Sequence, residues 1–445
     1  MGLIAATVGS AVGLGNVWRF PAETQANGGA AFLLVYIASV FLLGIPAMLA
    51  EFSLGRAGHS DAIGAFRKQR PGSKWGIVGG MAILTSYLIL TIYFVISGWT
   101  FEYFWESVAG NLYSLRASTP GAAETFFSER MHEYIQTDAE PILFTSLMIL
   151  FNLGAVLLGV RKGIERISNI MMPLLFVLLL VFAGVSLSLP GAMDGLDYFL
   201  HPDFSKITAG TVANALGQAF FSLSLGMGIL ITYSAYYPSN TNLTSTATTV
   251  SLLDMLVAIL MGVVIFPAVA SFGLTDAQLE GTALVFVTLP EVFSRLPLSQ
   301  LWSALFFLLL MMAALTSTLS LSEVSISMIE EHFHKSRKAA CLITILPLFG
   351  LSAMMSLSLG DHGLNLLGKP LFDIIDTFTA NIMLPLCALF TCLFVGWFAP
   401  KGMFGEQLTN GGTIDKRLSR GVILLVKYAC PALLAVILAA SFIDF

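Results

Sequence analysis

Long apolar stretches, separated by short polar segments, run along almost the whole chain. A helix of about 20 apolar residues is long enough to cross the hydrocarbon core of a bilayer. Windows of that length predict eleven membrane-spanning helices, near residues 2–26, 31–55, 75–107, 141–159, 164–189, 209–236, 246–272, 299–332, 339–359, 371–398 and 421–443. Three longer loops remain: 108–140 is acidic, whereas proline and glycine in 190–208 and 273–298 predict short helices. The pattern predicts an all-α polytopic membrane protein.

The first and sixth spans contain residues that interrupt a membrane helix. Residues 9–21 read GSAVGLGNVWRFP, and residues 218–228 read QAFFSLSLGMG. In lipid an unpaired backbone group costs several kcal/mol, so a helix breaks only where the freed groups bind something. An arginine at that depth is also costly and marks a substrate or ion path. For the first span alone, a glycine-faced helix-packing motif is the alternative.

Interruptions at corresponding positions of two halves indicate a transporter built from inverted repeats, with its binding site at the bilayer midplane. Residues 1–189 would form the first five-helix repeat and residues 209–398 the second, within a single transporter domain. Residues 421–443 would add an eleventh helix. The ends of half-helices offer free N–H groups to anions and carbonyl groups to cations.

Composition excludes a soluble protein of this size. Of the 445 residues, 56% are hydrophobic and only 11% are charged, and the mean hydropathy is +0.83. The net charge of −5 resides in loops and gives no reason to expect a nucleic-acid partner. Four cysteines, Cys341, Cys387, Cys392 and Cys430, show no metal-binding or disulfide spacing.

The distribution of basic residues between loops predicts the orientation of the chain in a cell membrane. With a cytoplasmic N-terminus, fifteen basic residues lie inside: Arg56, Arg67, Lys68, Arg70, Lys74, Arg161, Lys162, Arg166, Lys335, Arg337, Lys338, Lys401, Lys416, Arg417 and Arg420. Five lie outside: Arg116, Arg130, Lys206, Arg295 and Lys369. An odd number of spans then places the C-terminus outside.

Several segments resemble the neurotransmitter:sodium symporters. They are GSAVGLGNVWRFP itself, NGGAAF at 27–32, GIP at 44–46 with EFSLGR at 51–56, GQAFFSLSLGMG at 217–228 and AALTST at 313–318. The resemblance covers essentially the whole chain. It is strongest to the eleven-helix bacterial amino-acid transporters, including carriers of several hydrophobic amino acids. It implies the leucine-transporter fold, in which helices 1 and 6 are broken.

The resemblance implies two sodium sites and no organic cofactor. The first would use the Ala11 carbonyl, the Asn16 side chain, Ser222, Asp254 and the carboxylate of the substrate. The second would use the carbonyls of Gly9, Val12 and Ala313 with the hydroxyls of Thr316 and Ser317. For this Thr-Ser pair, hydrogen bonds to the carbonyls of their own helix are the alternative.

Asp254 departs from the pattern of many relatives, which have Asn at this position together with a nearby chloride ion. A carboxylate builds the negative charge into the protein, and this predicts transport independent of chloride. Asp254 lies in SLLDMLVAIL, which is apolar on both sides, so a role as a partner at a helix end is a weak alternative.

The same resemblance implies an amino-acid pocket. Leu14 and Gly15 would present N–H groups to the carboxylate, Tyr93 would add its hydroxyl, and the carbonyls of Ala11, Phe221 and Ser222 would hold the ammonium group. Monoamine carriers of the family have Asp in place of Gly13, which pairs with an amine whose molecule lacks a carboxylate. Glycine at this position leaves room for the carboxylate of an amino acid. The side-chain end would be lined by Val12, Ile89, Ile96, Ser224, Met227, Ser317 and Leu321. This lining holds no fixed charge and predicts neutral, mainly hydrophobic and aromatic L-amino acids as substrates.

Gates and a hinge are also implied. Arg19 and Asp376 would form the outer pair beside Gln218, with Phe221 as a lid. Glu331 matches the acidic residue of the inner gate, but its basic partner lies in an N-terminal segment of the relatives that has no counterpart here. Either the sequence begins late or this gate is missing. Gly163 and Pro173 match a pattern associated with unwinding of span 5, for which a static proline kink is the alternative.

Other classes of protein fit less well. An ion channel needs a pore lined by repeated carbonyls or charge rings. An enzyme needs a nucleophile–base pair or a metal cluster, and the six histidines (His59, His132, His201, His332, His334 and His362) fall in loops or near span ends. Two alternatives stay open: a non-transporting sodium-dependent amino-acid sensor, and a carrier of another small zwitterion. The chain lies in a lipid bilayer on this interpretation, and a homodimer is possible.

Overall fold

The computed structural model describes residues 2–113, 126–273, 281–360, 363, 365–366, 368–413 and 416–443. In chain order the helices are α1 (Gly2–Ala11), α2 (Phe20–Ala26), α3 (Ala30–Gly58), α4 (Ala62–Gln69), α5 (Gly76–Ala109), α6 (Phe126–Gln136), α7 (Ala139–Leu157), α8 (Glu165–Leu187), α9 (Ala192–Leu200), α10 (Ala209–Ser222), α11 (Ile229–Ala235), α12 (Leu243–Ser271), α13 (Leu284–Ser294), α14 (Ser299–Phe333), α15 (Arg337–Leu359), α16 (Leu371–Phe398), α17 (Met403–Leu408) and α18 (Ser419–Ser441). A short antiparallel hairpin pairs β1 (Asn365–Leu366) with β2 (Lys369–Pro370).

Nine continuous helices within these ranges are long and apolar enough to cross a membrane. The first and sixth predicted spans are each divided into two helices, α1 with α2 and α10 with α11. Together they account for the eleven predicted spans, with bounds that agree to within a few residues. The all-α polytopic architecture and the two broken helices are therefore confirmed.

The loops between spans hold short helices. Helices α9 and α13 lie where the sequence predicted them, in 190–208 and 273–298. Helix α6 in the acidic loop was not predicted, although it buries Phe127, Met131 and Tyr134 along one face at helical spacing. Arg116 and His362 lie outside the described residues.

Helices α5 and α14 are the longest and pack against each other at the centre of the bundle. At the start of α15, Arg337 holds the surrounding helices together. Its Nη2 lies 2.6 Å from Oε2 of the fully buried Glu323 on α14 and 3.0 Å from the Val156 carbonyl of α7. A buried carboxylate is costly unless it is paired, so this contact joins the end of α7 and the start of α15 to α14.

Glycines allow helices to approach closely around the broken spans. A Cβ added to Gly55 on α3 would lie 2.0 Å from the Ile231 carbonyl oxygen of α11. One added to Gly262 on α12 would lie 2.2 Å from the Phe199 ring of α9. No side chain fits at either position without moving a neighbouring helix or ring.

We expect Gly55→Ala to destabilise the protein by about 1–3 kcal/mol, because a methyl group there overpacks against the backbone of α11. Gly184→Ala is the matched control, since nothing lies within 4 Å of its added Cβ. The measurement is the thermal unfolding midpoint of each purified variant in detergent. Equal midpoints for the two variants would contradict the close contact between α3 and α11.

Candidate substrate and sodium sites

The first break lies between α1 and α2. Helix α1 ends at Ala11, Val12 and Gly13 form a bend, and a π-helical turn from Gly15 to Arg19 leads into α2. A Cβ on Gly13 would lie 2.5 Å from the Ser317 hydroxyl and 3.1 Å from the Tyr93 hydroxyl. The backbone at this bend therefore comes directly against α5 and α14.

The second break separates α10 from α11. Ser224, Gly226 and Gly228 have φ of 55°, 78° and 74°, in the left-handed region that favours glycine. A Cβ on Gly226 would lie 2.4 Å from the Leu384 carbonyl oxygen, so glycine is required here for space as well. The Ser224 hydroxyl donates to the Ser10 carbonyl at 2.9 Å, which joins this break to α1.

The predicted ligands of the first sodium site converge on Asp254. Asn16 Nδ2 donates to Asp254 Oδ1 at 2.7 Å and to its backbone carbonyl at 2.9 Å. The Ser222 hydroxyl lies 2.9 and 2.8 Å from the two carboxylate oxygens and 3.1 Å from Asn16 Oδ1. Tyr36, which the sequence did not suggest, donates its hydroxyl to Asp254 Oδ2 at 3.3 Å.

Asp254 is fully buried, and within the described ranges no Lys, Arg or His forms an ion pair with it. A buried carboxylate surrounded only by neutral groups is costly unless a cation neutralises it. Carboxylate, amide and hydroxyl oxygens are hard ligands that suit a hard cation. The donor set around Asp254 therefore fits a sodium ion.

The predicted second sodium site is less complete. Gly9 lies beside α14, because its added Cβ would be 3.4 Å from Thr316 Cβ. The Thr316 hydroxyl donates a hydrogen bond to the Ala313 carbonyl of its own helix at 3.0 Å. This is the alternative stated above for the Thr-Ser pair. The neighbouring Ser317 hydroxyl is buried beside the Tyr93 hydroxyl, next to Gly13. Its oxygen has two lone pairs and so keeps capacity for a cation or a substrate.

A cavity lies between the two breaks. Its lining includes the predicted pocket residues Ala11, Gly13, Gly15, Ile89, Tyr93, Phe221, Ser222, Ser224, Met227, Ser317 and Leu321. Val12, Leu14 and Ile96 are buried but do not line it. Ser10, Asn16 and Ile229 complete the lining.

The predicted outer gate residues lie above this cavity. The Arg19 guanidinium is 4.7 Å from the centroid of the Phe221 ring, and its Nε is 4.0 Å from Glu23. Arg19 and Asp376 form no ion pair within 4.0 Å in this structure, in which both residues are described. Gln218 Nε2 donates to the Gly15 carbonyl at 3.3 Å. Arg19 and Phe221 also line an outer cavity.

On the opposite side, Glu331 contacts the loop before α4. It accepts hydrogen bonds from the Ser60 hydroxyl and from the Asp61 backbone N–H, the latter at 3.0 Å. His332 lies between Asp61 and Arg67. Its Nδ1 is 3.2 Å from Asp61 Oδ2, and its Nε2 is 2.9 Å from Arg67 Nη1. Burial raises the pKa of Asp61 above its ordinary value.

The predicted hinge residues lie near the start of the fifth span. Gly163 belongs to a π-helical turn from Val160 to Ile164, and Pro173 lies inside α8. A Cβ on Gly163 would be 2.1 Å from the Ala155 carbonyl oxygen, so this glycine permits close packing on α7. Unwinding at this position stays a prediction.

Glu51 is a site residue that the sequence analysis missed. Its Oε1 accepts a hydrogen bond from the Gly226 N–H at 2.8 Å, while Oε2 is buried without a partner among the described residues. The Ser86 hydroxyl donates to the Met227 carbonyl in the same loop. An ionisable residue inside an apolar span is itself a signal of function, and Glu51 carried that signal.

Comparisons with known proteins agree with this geometry. The chain matches the profile of the sodium:neurotransmitter symporter family over residues 1–137 and 114–445. An uncharacterised sodium-dependent transporter of Bacillus subtilis, YhdH, is 35% identical over 98% of this chain and 95% of its own length. A second uncharacterised sodium-dependent transporter, MJ1319 of Methanocaldococcus jannaschii, is 35% identical over 89% of this chain and 80% of its own.

The structure is similar to a crystal structure of MhsT in complex with L-phenylalanine. The TM-score is 0.90 at 38% identity, and the match covers 99% of this chain and 98% of MhsT. The implied resemblance to the bacterial amino-acid transporters is thereby confirmed. The chain belongs to the sodium:neurotransmitter symporter family, a family of transporters, and it has the leucine-transporter fold.

Proposed function

We propose that this protein is a chloride-independent symporter that couples sodium to the uptake of neutral, mainly hydrophobic and aromatic L-amino acids by alternating access. The observation that carries the proposal is the buried Asp254 carboxylate, which has only neutral oxygen-bearing and N–H groups around it and lies next to the cavity. The L-phenylalanine complex of MhsT supports an amino acid as the substrate.

Sodium would sit among Asp254, Asn16 and Ser222, with the Ala11 carbonyl and the substrate carboxylate completing its shell. Sharing the carboxylate makes the two ligands interdependent, because each lowers the free energy of placing the other. The second ion would use the carbonyls of Gly9, Val12 and Ala313 with Thr316 and Ser317, once the Thr316 hydroxyl turns from its own helix.

The amino-acid backbone would lie at the level of Gly13. A side chain at this position would collide with Ser317 and crowd Tyr93, so glycine keeps this space open for a carboxylate. The Tyr93 hydroxyl faces the same space. The substrate side chain would extend between Ile89, Met227 and Leu321, where a charged group would lose its hydration without compensation.

The first test concerns ions. In proteoliposomes, uptake of leucine should require a sodium gradient and stay unchanged when gluconate replaces chloride. Asp254→Asn should weaken sodium and leucine binding together, each at least tenfold, because it removes the charge that compensates the ion. The measurements are sodium and leucine titrations of the purified variants.

Asp203→Asn, in an exposed loop, is the control for loss of one carboxylate. A sodium affinity of Asp254→Asn equal to that of the parent would contradict the assignment of Asp254 as a sodium ligand. Sodium-dependent binding without counterflow of labelled leucine would indicate a sensor in place of a carrier.

The second test concerns the outer gate. Arg19→Ala removes the cation above Phe221 and leaves Asp376 without a counter-charge. We expect a population shifted towards the outward-open state, with impaired transport and residual sodium-dependent binding. Spectroscopic labels across the outer cavity measure the shift. Arg295→Ala, which breaks a pair with Glu291 away from the cavity, is the control. If Arg19→Ala transports normally while Asp376→Ala does not transport, the two residues do not act as a pair.

The third test concerns substrate size. Met227 is unbranched and adapts to ligand side chains of different shape, including aromatic rings. Each additional CH₂ that fits should add about 0.8 kcal/mol, so affinity should rise from alanine to leucine and tryptophan. We expect Met227→Phe to lose tryptophan selectively while it keeps leucine.

Competition of leucine and tryptophan against a labelled substrate measures this ratio. Met255→Phe, on α12 and outside the cavity lining, is the control. An unchanged ratio in Met227→Phe, or a parent protein that prefers glycine, would show that Met227 does not line the side-chain pocket.

A further inference from the structure

A groove opens between the start of α5 and the end of α16, away from the substrate cavity. One end is polar, with Arg70, Ser73 and Lys74 from the loop between α4 and α5. The other end is apolar, with Ile77 and Met81 on α5 and Phe390 on α16. The groove is therefore amphipathic along its length.

The polar end carries positive charge without compensation. Residues 62–101 contain no Asp or Glu, whereas they include Arg67, Lys68, Arg70 and Lys74. Arg67 donates to His332 and Lys68 to the His59 carbonyl, so these two are already engaged. Among the described residues, no carboxylate pairs with Arg70 or Lys74. Both remain available to an anion.

Arg70 is held in a defined position. Its Nη1 donates to the Phe398 carbonyl at 3.2 Å, and its guanidinium carbon lies 5.6 Å from the centroid of the Phe398 ring. Trp75 packs on Phe398 and Phe394, with ring centroids 4.8 and 5.2 Å apart. These contacts fix the polar loop against α16, so the groove is built before any ligand enters.

The apolar end lies on the outer surface of the bundle. Ile77, in the first turn of α5, is 61% exposed. An exposed isoleucine at the end of a membrane-spanning helix faces acyl chains at the level where the headgroups begin. A ligand that fills the whole groove must therefore combine an anionic head with a hydrocarbon tail.

We propose that this groove binds an anionic glycerophospholipid. Its phosphate would lie between Arg70 and Lys74 within reach of the Ser73 hydroxyl, and one acyl chain would follow Ile77, Met81 and Phe390. Basic pockets between helices on the cytoplasmic side are suited to such headgroups. The excess of basic residues in one set of loops predicts that the loop between α4 and α5 lies on that side. The cation of a zwitterionic lipid would be repelled by the same residues.

Native mass spectrometry of the purified full chain tests the proposal. The lipids are phosphatidylglycerol and phosphatidylethanolamine with identical acyl chains, added in equal amounts. The parent should retain one phosphatidylglycerol in preference to phosphatidylethanolamine. In the double variant Arg70→Ala/Lys74→Ala the affinity for phosphatidylglycerol should fall roughly thirty-fold. The matched control is Lys335→Ala/Lys338→Ala, which removes two exposed basic residues near the start of α15, on the same side.

A second variant, Met81→Trp, fills the apolar end and leaves the charge unchanged. It should also lower retention of phosphatidylglycerol, and an excess of inorganic phosphate should not displace the lipid from the parent. Equal retention by the parent, Arg70→Ala/Lys74→Ala and the control would overturn the proposal, as would equal retention of the two lipids. Displacement by inorganic phosphate would overturn it in favour of a free-anion site. Sodium-dependent leucine binding should persist in both groove variants, so this result is independent of the transport assays.

Discussion

The requirement that every backbone group inside a membrane find a partner governs this structure. Helices α10 and α11 are separated by a loop in which the regular helical ladder ends. The amides of Leu223 and Leu225 still donate to the carbonyls of Ala219 and Phe220 in α10. Further along the loop, Glu51 accepts from the Gly226 N–H and Ser86 donates to the Met227 carbonyl, so side chains of neighbouring helices replace part of the lost ladder.

The cavity and the ion site depend on that break. Ser222, the last residue of α10, places its hydroxyl on both oxygens of Asp254, and Asn16 reaches the same carboxylate from the break in the first span. Two interrupted helices thus converge on a single buried charge.

Much of this architecture could be predicted from the sequence, because apolar length and misplaced glycines are strong signals inside a membrane. Asn16 was recognisable because a polar side chain is rare at that depth, and the role of Asp254 was implied by the resemblance to the symporter family. Tyr36 was not, because an aromatic residue in an apolar helix usually packs in the core. Glu51 could have been recognised as an ionisable residue inside an apolar span, but it was not. Arg19 and Asp376 form no ion pair in this structure, because the distance between them is set by the packing of the first and tenth spans, which local sequence does not encode.

The hydrogen bond between the Ser224 hydroxyl and the Ser10 carbonyl, 2.9 Å long, joins the two breaks directly at the wall of the cavity. A tilt of α1 away from the loop between α10 and α11 would have to break this bond, at a net cost of about 1 kcal/mol. The first and sixth spans are therefore coupled at the breaks themselves, beside the space where a substrate would lie.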